Sequence, residues 1–309
     1  MMFKPNFFIV GAAKCGTTAL YSWLRTHPDV FFPEIKEPNF FSLSDKKKFC
    51  VGNEMDVNYL KQFARTLDAY LALYESATPG QSCGDATPSY LYYNDTAQKL
   101  CAFNHSAKII GVFRNPVDRM VSQYRHNRRD AYETCETLER ALDREESRIE
   151  AGWWWGFHYR AASLYAKQWR SYQHVFPNEQ LLALKYEDLS KNPEGTWMRV
   201  LEFLELPSWP TPNFGARVND TSGLNSVPAL GSLERFFRHP SALKSSLRMI
   251  VPALLRRPLR RAIRSLNSAP ITRLTVDLKR DLMIAFESDI RHLSDLTGLD
   301  LDDWLEPEA

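Results

Sequence analysis

Residues 7–18 read Phe-Phe-Ile-Val-Gly-Ala-Ala-Lys-Cys-Gly-Thr-Thr, and no other stretch restricts the fold as strongly. Four apolar residues ending at Gly11 have the length and character of a strand buried on both faces. Thr17 or Thr18 can then cap a helix whose apolar positions are Ala19, Leu20, Trp23 and Leu24, until His27-Pro28 stops it. A strand that turns through a glycine-bearing loop into a helix makes an anion site. The first amides of the helix have no intrahelical partner, and the helix dipole favours negative charge there. Gly16 lets the backbone approach a phosphate closely, and Thr17 and Thr18 add hydroxyl donors. The nucleotide-hydrolase P-loop, Gly-x-x-x-x-Gly-Lys-Ser/Thr, carries its lysine directly after the second glycine. Here that position is Thr17, and the lysine, Lys14, lies inside the loop.

Further strands and helices alternate along the chain. Lys108–Phe113 is a second strand, ended by Asn115-Pro116 and followed by a helix with Met120, Val121 and Tyr124 on one face. Leu181–Leu184 is a third, before the turn-rich Tyr186-Glu187-Asp188. Thr196–Leu204 and the Leu278-Leu282-Phe286-Ile290-Leu293 series have helical period. Alternation of this kind predicts an α/β fold: a P-loop-like central parallel sheet flanked by helices on both faces. The expected organisation is a single domain over 1–309, with a basic helical segment at 232–268 and a C-terminal helix at 276–297. Residues 213–229 are polar and read as one long loop.

Arg114 closes the second strand, where α/β proteins bind ligands, and a guanidinium there can grip a phosphate. Ser122 follows about two helical turns later and can add a hydroxyl. Two separate anion sites suit a nucleotide with phosphates at both ends, whereas ATP needs only one polyphosphate site.

The string Ile9-Val-Gly-Ala-Ala-Lys14-Cys-Gly16-Thr17-Thr18 resembles the donor loop of sulfotransferases that use 3′-phosphoadenosine 5′-phosphosulfate, and the ending His27-Pro-Asp-Val30 is similar to that of the heparan sulfate sulfotransferases and their bacterial relatives. The resemblance implies that the loop, Lys14, Cys15, Gly16, Thr17, Thr18 and Ala19, holds the 5′-phosphosulfate. Arg114-Asn-Pro-Val-Asp-Arg119-Met-Val-Ser122-Gln-Tyr124 is similar to the family's 3′-phosphate motif and implies that Arg114 and Ser122 hold that phosphate, with Arg119 structural or at the surface. Lys36-Glu37-Pro-Asn-Phe-Phe41 resembles the catalytic Glu-Pro-His-Phe-Phe segment and implies Glu37 as general base, with His158 and His126 ranked below it. Asp85-Ala-Thr-Pro-Ser-Tyr90 resembles a stretch that carries lysine where this chain has Ala86. The family's adenosine-covering loop corresponds to Arg217–Gly223, which makes Arg217 a donor contact. The activity so implied is sulfuryl transfer to a hydroxyl or amine of an acceptor such as a carbohydrate, glycolipid or small metabolite, with Lys14 assisting the leaving phosphate and no metal.

Charge and cysteine content narrow the alternatives. Lys plus Arg total 39 against 37 Asp plus Glu, a net of +2, which gives no whole-chain case for nucleic acid binding. Five cysteines without a Cys-x-x-Cys pair indicate neither a disulfide framework nor a zinc site. Between Lys244 and Arg264 seven basic residues occur with no acidic one. That segment could touch an anionic membrane surface, but Pro252 and Pro258 interrupt a long amphipathic helix and favour helices packed on the core. The chain reads as cytoplasmic, with peripheral membrane contact as the lesser reading. Trp153-Trp-Trp155 with Phe157 fits an acceptor cleft and core packing equally. Two rivals stand against the sulfotransferase reading: an ATP-dependent P-loop kinase, which expects lysine at position 17, and a non-enzymatic membrane- or polyanion-binding protein, which leaves both phosphate motifs without a role.

Overall fold

In the computed structural model, residues 3–44, 63–214, 226–228, 268–270 and 274–306 are described. Five strands form one parallel sheet: β1 Phe7–Gly11, β2 Val30–Phe31, β3 Ser82–Ala86, β4 Lys108–Phe113 and β5 Leu181–Lys185, in the order β2-β3-β1-β4-β5. All five residues of β1 are buried, so both faces of the sheet centre are covered, as continuous apolar runs in parallel strands require. β1 lies between β3 (Phe7 opposite Gly84) and β4 (Phe7 opposite Lys108). The chain runs out from β1 to β2 and returns through β3. It then crosses to β4 on the far side of β1, so the strand order reverses there. Such a switch point leaves a crevice at the carboxyl ends of the strands. Helices α1 (Thr17–Leu24) and α2 (Pro116–Arg129) leave those ends from β1 and β4.

β3, Ser-Cys-Gly-Asp-Ala, lacks the apolar run that marks the other strands. Packing selects it instead. A Cβ at Gly84 would overlap the rings of Phe7 and Phe32, so glycine lets these rings close over the strand. Asp85 is fully buried but accepts hydrogen bonds from Thr87 Oγ1 (2.5 Å), Tyr70 OH (2.7 Å) and Tyr90 OH (2.9 Å). Burial still pushes its carboxyl up to about 6.

Helix α3 (Tyr165–Gln173) and the C-terminal helix α4 (Val276–Thr297) pack together. Thr275 caps α4 at its start and Gly298, in the left-handed conformation, ends it. Leu282, Phe286, Ile290 and Leu293 form its buried face. Asp289 accepts the N–H groups of Tyr165 (2.7 Å) and Ala166 (3.2 Å), so α4 caps the start of α3. Residues 226–228 form β6, paired antiparallel with β7 at 268–270 and running beside α2. The polar segment 213–229 is therefore not loop throughout: a short strand interrupts it. Of the basic segment 232–268 only Ser268 is described, in β7; the rest, including 244–264, lies outside the described residues. Among the described residues Cys15, Cys83, Cys101 and Cys135 are free thiols, and no helix is long and apolar enough to cross a membrane.

Candidate functional site

The β1–α1 loop is an open donor end. Register slips between Ile9 and Gly11, and the Ala12 amide bonds to Val112 O (2.7 Å), which carries the chain out of the sheet beside β4. Lys14 (φ 69°) and Gly16 (φ 90°) both take the left-handed conformation, and Gly16 is the N-cap of α1 with no side chain capping it. Its carbonyl accepts from Ala19 (2.9 Å) and Leu20 (3.1 Å), whereas the amides of Lys14, Gly16, Thr17 and Thr18 donate to no backbone carbonyl of the described residues. Four free amides at the positive end of a helix are an anion cradle. The Ala19 N–H, by contrast, is already used within the helix.

Lys14 is largely buried, and this burial first, with the Arg129 charge second, lowers its ammonium to about 8, against smaller opposing effects of Asp130 and Glu37. A lysine lowered by burial near another cation gains from an incoming anion. Cys15 is buried with its thiol 3.7 Å from Tyr165 OH, and burial pushes the thiol up to about 11. It packs as a neutral side chain.

Glu37, close enough for its charge to act on Lys14, has φ 61°. Asn39, also left-handed (φ 54°), donates to Glu37 O at 2.5 Å and accepts from Ser89 Oγ at 2.6 Å, and Ser89 in turn meets Ser42 Oγ at 2.7 Å. The buried Thr87-Pro88-Ser89-Tyr90 stretch after β3 is thus the floor beneath Glu37. Lys36 is the residue that sequence reasoning passed over. Its Nζ sits 2.5 Å from Glu37 Oε1 and 3.2 Å from Thr18 Oγ1, and so joins the donor loop to the carboxylate. Its sequence signal was only adjacency to Glu37.

At the end of β4, Asn115 caps α2 by accepting from Val117 N (3.0 Å) and Asp118 N (3.3 Å), with Pro116 in the first turn. Arg114 lies just outside that cap. Its guanidinium stacks on the Tyr186 ring at 4.5 Å and stands 3.8 Å from Asp118 Oδ2, while its buried Nε has no partner. Ser122 is buried farther along α2. Tyr186 is the second residue missed by sequence. A Cβ at Gly16 would stand 3.0 Å from its ring, so the ring that supports Arg114 also borders the phosphate loop. The two candidate corners are therefore neighbours across a single tyrosine.

The other candidates have partners of their own. Arg119 is buried rather than on the surface and donates to Tyr159 O at 3.3 Å. His158 Nδ1 meets Tyr92 OH at 2.7 Å, and His126 meets Arg129 at 2.9 Å. Trp155 and Phe157 are buried, and Arg148, held by Glu133 at 2.8 Å, lies over the rings of Trp153 (4.9 Å) and Phe157 (5.3 Å), so these two rings pack on a buried ion pair while Trp155 stacks on Tyr92. Arg217 lies outside the described residues.

The sequence profile of the sulfotransferase family matches residues 5–211, the span that builds both corners and Glu37. The chain belongs to the sulfotransferase family. It is similar to human heparan sulfate glucosamine 3-O-sulfotransferase 3B1, 31% identical over 204 residues that cover 65% of this chain and 46% of the relative. It is also similar to human carbohydrate sulfotransferase 15, 28% identical over 256 residues, with 65% of this chain and 44% of the relative covered. The chain thus spans less than half the length of these curated relatives. The crystal structure of a sulfotransferase from Alicyclobacillus acidocaldarius superposes with a TM-score of 0.76 at 28% identity and covers 98% of this chain and 100% of that one. In this sulfotransferase fold the threonine at position 17, where a kinase P-loop has lysine, leaves Lys14 as the loop's own cation.

Proposed function

We propose that this sulfotransferase moves a sulfuryl group from 3′-phosphoadenosine 5′-phosphosulfate to a hydroxyl or amine of a carbohydrate acceptor. The observation that carries the reading is the pair of anion corners at adjacent strand ends. One is a cradle of free amides with Lys14; the other is a guanidinium with an unpartnered buried Nε. A donor with phosphates at its 5′ and 3′ positions suits both. Sulfuryl transfer needs a base for the acceptor proton and positive charge on the leaving phosphate. Glu37 Oε takes the proton as the acceptor oxygen or nitrogen attacks sulfur. Lys14 and the amides of Gly16, Thr17 and Thr18 hold the charge on the leaving oxygen. Arg114 and Ser122 fix the 3′ end, which orients the donor for attack. The carbohydrate class of acceptor rests on the relatives, whose names specify heparan sulfate glucosamine and carbohydrate.

Calorimetry with adenosine 3′,5′-bisphosphate, run beside ATP with magnesium, tests the donor. Tight binding of the bisphosphate alone is expected. Preference for ATP would return the kinase reading.

A further inference from the structure

Among the described residues Lys36 is the one cation that touches both halves of the proposed reaction. Its ammonium is 3.2 Å from Thr18 Oγ1, on the first turn of α1 where the donor's phosphosulfate would sit, and 2.5 Å from Glu37 Oε1, on the acceptor side. The Tyr21 ring lies 5.7 Å from Nζ and flanks the head group. An ammonium carries three N–H donors. Two are accounted for by Thr18 and Glu37, and the third is free for an incoming oxygen without rearranging the other two. No other lysine is nearby to do this from β3, because the position after Asp85 is Ala86, a buried methyl group.

We infer that Lys36 is a catalytic residue that holds a sulfuryl oxygen during transfer, an inference that rests on the proposed donor. In an in-line transfer the acceptor and the leaving phosphate approach sulfur from opposite sides, and the three sulfuryl oxygens lie between them. A cation joined to the donor loop on one side and to the base on the other occupies that middle zone. The chemistry balances without a further reagent. The acceptor O–H or N–H gives its proton to Glu37 and the acceptor atom forms a bond to sulfur. The bond from sulfur to the bridging phosphate oxygen breaks, and the phosphate leaves with the electron pair. Lys36 takes no part in the proton transfer, and Lys14 serves the leaving oxygen rather than the group in flight. Lys36 thereby discriminates the phosphosulfate from the bisphosphate product, which differs from it by the sulfuryl group alone.

That difference supplies the test. Lys36→Met keeps an unbranched apolar stem and removes all three donors. Turnover with the phosphosulfate is expected to fall about 100-fold, the scale of losing one donor aimed at transition-state charge. Affinity for the intact phosphosulfate, measured without acceptor, should weaken about 3- to 10-fold, the scale of one charge-assisted hydrogen bond. Affinity for the bisphosphate should stay within about twofold, since it has no sulfuryl oxygen to lose. Lys36→Gln is the second variant should Lys36→Met unfold, and the same contrast between the two ligands is expected of it. Turnover within threefold of wild type, or equal weakening of both ligands, would show that Lys36 only braces Thr18 and would overturn the inference while leaving the donor assignment intact. Wild-type protein that binds neither ligand would overturn the donor assignment, and the role of Lys36 with it.

Discussion

The corner at the end of β1 and the corner at the end of β4, the two proposed anion sites, are built on opposite principles. The first is made of backbone: two left-handed residues, Lys14 and Gly16, turn a row of free amides outward ahead of an uncapped helix. The second is made of one side chain. Its backbone is ordinary and its helix is fully capped by Asn115, while Arg114 is stacked on Tyr186 with its buried Nε unpartnered. An amide cradle encloses a group and tolerates movement of charge within it, which suits the end where a bond breaks. A stacked guanidinium fixes one phosphate in one orientation, which suits an anchor. On the proposed function this difference gives the chemistry to the β1 corner and the positioning to the β4 corner.

The contrast can be broken most severely at Lys14. Lys14→Met is expected to lower turnover by about 10³-fold, the upper range for removing one electrostatic contact to the leaving group. Steady-state rates at saturating donor would check it, and a loss confined to donor affinity would erase the distinction between the corners. Arg114→Ala should instead weaken bisphosphate binding about 10- to 100-fold by calorimetry. Adenosine 5′-phosphosulfate, which lacks the 3′-phosphate, should bind both proteins alike. Equal losses for both ligands would mean that Arg114 serves the transferred group.

The pH dependence sharpens the same contrast. The anion binds the protonated form of Lys14, and burial lowers that ammonium to about 8. Bisphosphate affinity should therefore be level below pH 8 and decline above it, by up to about tenfold per pH unit for a single proton. Lys14→Met should abolish this alkaline limb and Arg114→Ala should keep it, both readable by titration between pH 6.5 and 9.5. The smallest effect is expected where the corners meet. Tyr186→Leu removes the ring under Arg114, worth about 1 kcal/mol, so bisphosphate should bind roughly fivefold more weakly. No change at all would show that the shared ring is packing only.

The legible parts of the sequence were those where local chemistry suffices. β1, β4 and β5 are continuous apolar runs, and glycine beside lysine and paired threonines announces an anion loop. The family resemblance, carried by the two phosphate motifs, agrees with the profile match over residues 5–211. β3 stayed hidden because Ser-Cys-Gly-Asp-Ala has neither alternation nor an apolar run. It is a strand because Phe7 and Phe32 close over Gly84 and three hydroxyls satisfy Asp85. The segment around 226–228 reads as loop because its pairing partner, 268–270, lies far along the chain. The tryptophan run looked equally suited to a cleft, and the packing of Trp153 and Phe157 on Arg148 and Glu133 emerged only in three dimensions.

By itself the sequence determined that β1 ends in a glycine loop before a helix and β4 in an arginine, because both features are set by their nearest neighbours along the chain. Only the tertiary structure decided that these two turns are neighbours. Parallel strands need long crossovers, so the pairing of β1 with β4 is settled by packing across the whole sheet and not by any local pattern. The same crossovers bring Lys36 to Thr18 and place Tyr186 between Gly16 and Arg114. Those two residues acquire their roles from neighbours that no stretch of sequence places beside them.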